Sequence, residues 1–324
     1  MTVAVDRPTD SALTAPARPP AKGPGRRPRS GRTGKNGAAY VFLTPWLIGA
    51  ALLTVGPMIA SLYLSFTDYD LFSAPEFIGI ANYQRMVEDP RFWSAVGVTL
   101  NYVLVAAPLK LLAALAIALL LNKARRGQGF YRSAFYAPSL LGASVAVALV
   151  WRTLFANDGV VDNGLGAVGI GAGGWISNPK LSLYVLVILA IWQFGAPMVI
   201  FLAGLKQIPQ DLYDASAVDG AGKLRTFWSV TIPMLSPVIF FNLVLEVINA
   251  FQAFTASYII SGGRGGPIDS TLFFTLYLYD RAFTAFDMGY ASAMAWVLLV
   301  AIGIVTALIF RSSRAWVFYS GEEK

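Results

Sequence analysis

The chain contains no cysteine and no histidine among its 324 residues. The first absence excludes disulfides, thiolate nucleophiles and cysteine-bound metals. The second removes the commonest general base and the commonest metal ligand. Charge is also scarce, with Asp, Glu, Lys and Arg at 13%, about half the ~25% of an average soluble domain. So few charges cannot cover the surface of a soluble fold of this length. What the chain has instead is 56% hydrophobic residues, gathered into long uncharged runs. Such runs define an all-α polytopic membrane protein and exclude an ordinary cytosolic enzyme or a secreted domain.

Residues 1–39 are polar and rich in Pro, Gly and Arg, as in Pro24-Gly25-Arg26-Arg27-Pro28-Arg29. They hold nothing from which to build a core, so the expectation is a disordered basic tail. The tail is too long and too charged for a cleavable signal peptide. A topology-setting role is preferred over a nucleic-acid-binding arm. Six apolar segments follow: Tyr40–Phe66, Phe92–Leu121, Ala134–Phe155, Leu181–Leu205, Met234–Ile260 and Gly289–Phe310. Each exceeds the about 20 residues that a helix needs to span hydrocarbon. Backbone groups must be satisfied internally in lipid, so these segments read as transmembrane helices. The predicted organisation is a first helix at 40–66, an outer loop at 67–91, a five-helix core at 92–310 and a short cytoplasmic tail at 311–324.

Lys and Arg placement sets the orientation. The N-terminal tail, Lys123 to Arg132, Lys206 to Arg225 and the C-terminus hold most of the cations. The alternate loops hold Arg85, Arg91, Lys180, Arg264 and Arg281. Both termini are therefore expected in the cytoplasm of a multi-pass protein of the cell membrane. The loops at Thr67–Arg91 and Ser261–Met288 are aromatic as well as polar. They are expected to pack on each other or to receive an extracytoplasmic partner.

The most informative segment is the cytoplasmic loop at 206–233. Pro209 and Asp211 suit a helix start, and Gly220 and Gly222 suit its stop. A second short helix is expected to run to Pro233, which opens the fifth span. Small residues at Ala215, Ser216, Ala217 and Ala221 would admit another protein's backbone. In sequence, Asp214-Ala215-Ser216, then Asp219-Gly220-Ala221, then Val230-Thr231-Ile232-Pro233 resemble the EAA motif. That motif marks permease subunits of binding-protein-dependent ABC importers. Asp stands here for the usual Glu, and Ser for the second Ala. Ser65-Phe66-Thr67-Asp68-Tyr69, Gly265-Gly266-Pro267 and Gly289-Tyr290-Ala291 resemble the carbohydrate branch, the MalF-like subunits.

The resemblance covers roughly residues 40–310 and implies a MetI-like/MalF-like fold of six transmembrane helices. It implies that Asp214, Ala215, Ser216, Asp219, Gly220 and Ala221 form a coupling helix that docks on an ATPase. The implied partners are a second related permease, two ATPase subunits and an extracytoplasmic solute-binding protein, with membrane lipid around the bundle. No nucleic-acid partner is expected. The chain itself is expected to bind no cofactor, with ATP and Mg on the partner ATPase. Gly222-Lys223 is its nearest approach to a P-loop, and it fails at Ala217 and Leu224. Gly164-Leu165-Gly166-Ala167-Val168-Gly169 fits a dinucleotide fingerprint but lacks the βαβ context it needs. It reads as a flexible connection.

Polar residues inside spans are costly and often functional. Asn242, Glu246 and Asn249 share one face of the fifth span by helical spacing, and Gln252 extends the stripe. In sugar permeases this helix and the fourth span line the ligand site. The resemblance therefore points to Gln193, Glu246, Asn249, Trp192 and Gln252 as substrate-binding candidates. Amides suit sugar hydroxyls, and Trp192, Phe251 or Phe254 suits a sugar's C–H face. Glu246 has two readings, ligand contact or pairing with Lys110, and both stand. Arg152 is expected to snorkel from the outer end of the third span.

The function so implied is the permease subunit of an ATP-driven importer of a sugar or oligosaccharide. It is a transport subunit and not an enzyme. Glycerol phosphate-type solutes are the nearest alternative cargo. An ion-coupled secondary transporter would want internal repeats and an acidic cluster, and neither is evident. An intramembrane protease would want His or paired Asp in the spans, which are absent, leaving only a remote Ser–Lys dyad at Lys110.

Overall fold

A computed structural model of the chain describes residues 35–123, 127–142, 144–167, 169 and 174–318. Residues 1–34 of the N-terminal tail, Arg125, Arg126, Val168 and residues 319–324 lie outside the described residues. The chain divides into two units, Met1–Gly56 and Pro57–Lys324. The first contains α1 (Lys35–Ala50) and a π-helical stretch, Ala51–Val55. With α2 (Gly56–Leu64) the helical run Tyr40–Leu64 is 25 residues long, enough to cross hydrocarbon.

The second unit continues with a two-residue hairpin, β1 (Thr67–Asp68) and β2 (Glu76–Phe77), antiparallel with Thr67 opposite Phe77. Next come α3 (Ala81–Glu88) and α4 (Pro90–Lys123), which is 34 residues long. Then follow α5 (Gln128–Leu141), α6 (Val145–Leu154) and α7 (Val160–Gly166). After them run α8 (Ser182–Trp192), α9 (Gly195–Gln207) and α10 (Gln210–Val218). The chain closes with α11 (Lys223–Thr226), α12 (Ile232–Phe251), α13 (Thr255–Ser261), α14 (Phe274–Tyr279) and α15 (Met288–Trp316).

Helix α4 is the central post. It buries Ala95, Ala106, Ala107, Ala114 and Ala118 along its length, and α8, α9, α12 and α14 pack against it. Helices in lipid gain nothing from excluding water between them, so such small residues bring backbones together for dispersion contacts. Two apolar clusters result. One gathers Phe92, Tyr102, Phe251, Phe273, Tyr277 and Tyr290. The other gathers Leu111, Met198, Phe201, Leu202 and Leu235 nearer the 206–233 loop.

Three of the six expected spans depart from a single straight helix. The third, Ala134–Phe155, is α5 and α6 meeting at 94°. The fourth, Leu181–Leu205, is α8 and α9 bent by 43°. Pro197 explains this bend, because it cannot donate to the carbonyl of residue 193. The fifth does not reach Ile260. It is one helix over Lys223–Phe251, so no separate short helix ends at Pro233, which lies in the first turn of α12. The backbone breaks at Gln252–Phe254 before α13. The glycine-rich run at 164–169 also departs from its expected form, since Gly164 and Gly166 are helical in α7.

The loop Thr67–Arg91 is folded, as its aromatic content suggests. Asn82 Nδ2 donates to the carbonyls of Ser65 (3.1 Å) and Thr67 (2.9 Å). The start of α15 touches this hairpin so closely that a Cβ on Gly289 would sit 2.1 Å from the Thr67 carbonyl oxygen. An ionic and aromatic network closes the same end. Asp89 accepts from the hydroxyls of Tyr277 and Tyr290, Arg281 donates to the Tyr277 oxygen, and Arg91 forks onto Asp269 at 3.0 and 3.1 Å. Burial pushes the Asp89 carboxyl up, but the hydrogen bonds from Tyr277, Tyr290 and two backbone amides outweigh it, and its pKa is net lowered. Burial, then the bond to Asp89, pushes the Tyr277 hydroxyl up to about 12.

The sign of the Asp89 shift gives a prediction. A depressed carboxylate stabilises the fold above its unfolded pKa of about 3.9, and that contribution is lost as pH falls through the folded value. Asp89→Asn should cost about 2 kcal/mol at neutral pH, the range for hydrogen bonds to a charged group. Thermal unfolding in detergent should show the gap between wild type and variant closing below about pH 4.

Candidate functional site

Two sites stand out, one inside the bundle and one at its loop end. The inner site is a cavity of about 240 Å³ bounded by α4, α8, α12 and the breaks beside α5 and α9. Lys110 of α4 and Glu246 of α12 meet across it, Nζ to Oε2, at 2.8 Å. Glu246 is buried and Lys110 largely so, their side chains 10% and 15% exposed. Of the two readings of Glu246, the ion pair is the one formed here, and both partners still line the cavity. Gln193, Asn249, Tyr102 and Phe254 complete its polar and aromatic wall.

Helical spacing brings Glu246 and Asn249 to this wall together, and the break after Trp192 turns Gln193 toward it. The structure does not bring the other two substrate candidates here. Trp192 stacks on Trp151 with ring centroids 5.5 Å apart and packs on the core. Gln252 caps α12 and is exposed. Asn242 is buried on the same helix, and its Nδ2 has no partner among the described residues. Tyr102 is a wall residue that sequence reasoning missed. Among so many apolar positions, a lone tyrosine in a span carries no signal of which way it faces. Arg152, expected to snorkel, is exposed and donates to the Ile259 carbonyl at 3.4 Å.

The second site is α10 and the turn after it. The helix ends in a complete Schellman cap. The Gly220 amide donates to Ala217 O (3.1 Å) and the Ala221 amide to Ser216 O (2.9 Å). Gly220 takes φ +70° to close it, a conformation that costs a glycine nothing. Asp214, Ala215 and Asp219 are exposed. Val218 is 89% exposed and Leu224 74%, an apolar pair at the tip that sequence reasoning did not single out. Ser216 points the other way. It is 8% exposed, and its hydroxyl donates to the Tyr213 carbonyl and meets Thr226 Oγ1 at 3.2 Å. It braces the short helix against the base of the fifth span. Only Ile208 and Pro209 separate α9 from α10.

Apolar helices around a polar cavity, with a firmly capped short helix at one end, form the architecture of a membrane transport subunit. Residues 80–317 match the family described as binding-protein-dependent transport system inner membrane component, and the chain belongs to that family. It is 51% identical over 291 residues to the probable ABC transporter permease protein YesP of Bacillus subtilis (strain 168). That alignment covers 89% of this chain and 94% of that protein. The lactose transport system permease protein LacF of Rhizobium radiobacter is 31% identical over 281 residues, covering 85% of this chain and 93% of LacF. In a solved bacterial alginate ABC transporter, complexed with a pentasaccharide-bound periplasmic protein, one chain superposes with a TM-score of 0.72 at 19% identity. It covers 86% of this chain and 94% of its own length, which establishes the shared fold. The chain is thus an ABC importer permease subunit, a transport component and not an enzyme.

Proposed function

We propose that the chain carries a sugar or oligosaccharide across the membrane, handed over by an extracytoplasmic binding protein and driven by a separate ATPase pair. The observation that carries the reading is the inner cavity, where a neutralised ion pair, two amides and two aromatic rings share one small space. Carboxamides offer donors and acceptors to hydroxyls, and a ring offers its face to C–H groups. Relatives named for lactose, starch degradation products and arabinooligosaccharides support a saccharide cargo. A phosphate-type solute is a poorer match, because Lys110, the one cation lining the cavity among the described residues, is already engaged by Glu246.

In this reading Gln193, Glu246 and Asn249 contact the cargo, and Lys110 holds Glu246 in place. Asp214, Ala215, Asp219, Gly220 and Ala221 meet an ATPase that binds ATP and Mg. Both termini and α10 lie on the cytoplasmic side, where the Lys and Arg excess places them. A second permease completes the pathway beside this chain.

The test is uptake by vesicles holding the whole importer, with labelled lactose, maltotriose, arabinotriose and glycerol 3-phosphate offered in turn. One of the saccharides should accumulate with ATP and the phosphate should not. Asn249→Ala should weaken retention of that saccharide by the trapped complex about tenfold, the loss of one hydrogen-bonding group worth about 1.4 kcal/mol. Accumulation of glycerol 3-phosphate alone would overturn the cargo assignment.

A further inference from the structure

The two bent spans break beside each other, and each break is closed by a side chain from the other. Pro197 leaves the Gln193 carbonyl without its helical donor, and the Ser139 hydroxyl of α5 donates to that carbonyl at 2.9 Å. The same hydroxyl accepts the Ala196 amide at 3.0 Å. One oxygen from the third span therefore satisfies two backbone groups at the break in the fourth. In return Gln193 Nε2 donates to the Gly142 carbonyl at 3.2 Å, at the end of α5 where the third span turns.

Contact is close on both sides. A Cβ on Gly195 would lie 2.5 Å from the Phe135 carbonyl oxygen, and one on Gly142 would lie 2.2 Å from the Gln193 side chain. Neither glycine leaves room for a side chain. Unsatisfied backbone groups at membrane depth cost several kcal/mol each, so separating the breaks exposes groups that each currently covers for its neighbour.

We infer that Ser139 is a positioning residue for transport, and that through it α5 and α9 move as one body. Helix α9 runs into α10 through two residues, so displacement of the lever enters α9 first. The interlock hands it to α5 and to the Gln193 side of the cavity. Without the hydroxyl, α9 moves and α5 lags.

The chain has no cysteine, so two introduced cysteines are its only labelling sites. Spin labels at Tyr131→Cys on α5 and Ala203→Cys on α9, both exposed positions, report the distance between the helices. The measurement uses the whole importer, with its ATPase, nucleotide-free and then trapped with ATP and vanadate. With Ser139 present, the distance should agree between the two states within about 2 Å, an ordinary packing shift. With Ser139→Ala it should differ between states by about 5 Å, the scale of a one-turn slip, while ATP hydrolysis, assayed separately without vanadate, is retained. Ser139→Thr keeps the hydroxyl and should behave as wild type. Gln193→Ala releases the Gly142 side alone and should give a smaller change; it keeps the test open if Ser139→Ala fails to assemble. A wild-type distance that itself changes between states, or variants indistinguishable from wild type, overturns the inference. Neither outcome bears on which solute the cavity holds, since no cargo is present.

Discussion

Gly220→Trp should abolish uptake while leaving membrane insertion and co-purification of the second permease intact. Two effects act together. Gly220 closes the Schellman cap at φ +70°, where a side chain strains the backbone by about 1 kcal/mol. Among the described residues no neighbour lies within 4 Å of a Cβ built there, so the indole is not forced into the chain's own core. It projects from the tip of α10, on the surface assigned to the ATPase, beside the exposed Val218 and Leu224. A bulky group at the centre of a docking surface costs about 3 kcal/mol, or about 100-fold in occupancy. Gly220→Ala carries the strain without the bulk and should retain most activity. The check is ATP-driven uptake beside the fraction of ATPase that co-elutes. Full transport by the tryptophan variant would remove the coupling role from this helix.

Glu246→Ala should destabilise the bundle by about 3–5 kcal/mol, because it strands the Lys110 ammonium in a buried site. Lys110→Ala should do the same to the Glu246 carboxylate. The double variant Lys110→Met with Glu246→Met should recover most of the lost stability, since no charge is left unpaired. The pair would then be shown to matter for the cavity rather than for the fold if the double variant assembles but fails to hold the cargo. Thermal unfolding of the four proteins in one detergent supplies the cycle, and saccharide retention by the assembled importer supplies the second axis. Single variants as stable as wild type would mean that water already screens the 2.8 Å contact.

Much of this is legible in the sequence. Charge scarcity and run length point to helices across a membrane; the first, second and fourth form within a few residues of the expected limits, whereas the fifth is shifted to Lys223–Phe251 and the third is divided in two. The loop at 206–233 declared its short helix through Pro209, Asp211 and Gly220, because start and stop signals act through local backbone chemistry. Glu246 and Asn249 were legible as a face because helical periodicity is local too.

What was not legible depended on neighbours. Trp192 and Gln193 are adjacent in sequence, yet one packs on Trp151 and the other lines the cavity. The break between α8 and α9 decides which. Ser216 and Ala215 looked equivalent as small residues on a docking helix, and only the placement of Thr226 turned the serine inward. The Lys110–Glu246 contact joins residues 136 positions apart, and no spacing rule selects that pairing over others.

The sequence by itself determined the class of protein, the long apolar runs and the position of the short helix at 210–218. Those follow from hydrophobicity and from hydrogen bonding between residues close along the chain. The tertiary structure alone decided that two spans bend, that each bend is closed by the other, and that the Lys110–Glu246 pair faces a cavity. Backbone groups freed by a proline must find partners wherever packing brings them, and packing is set by the shapes of helices far apart in sequence.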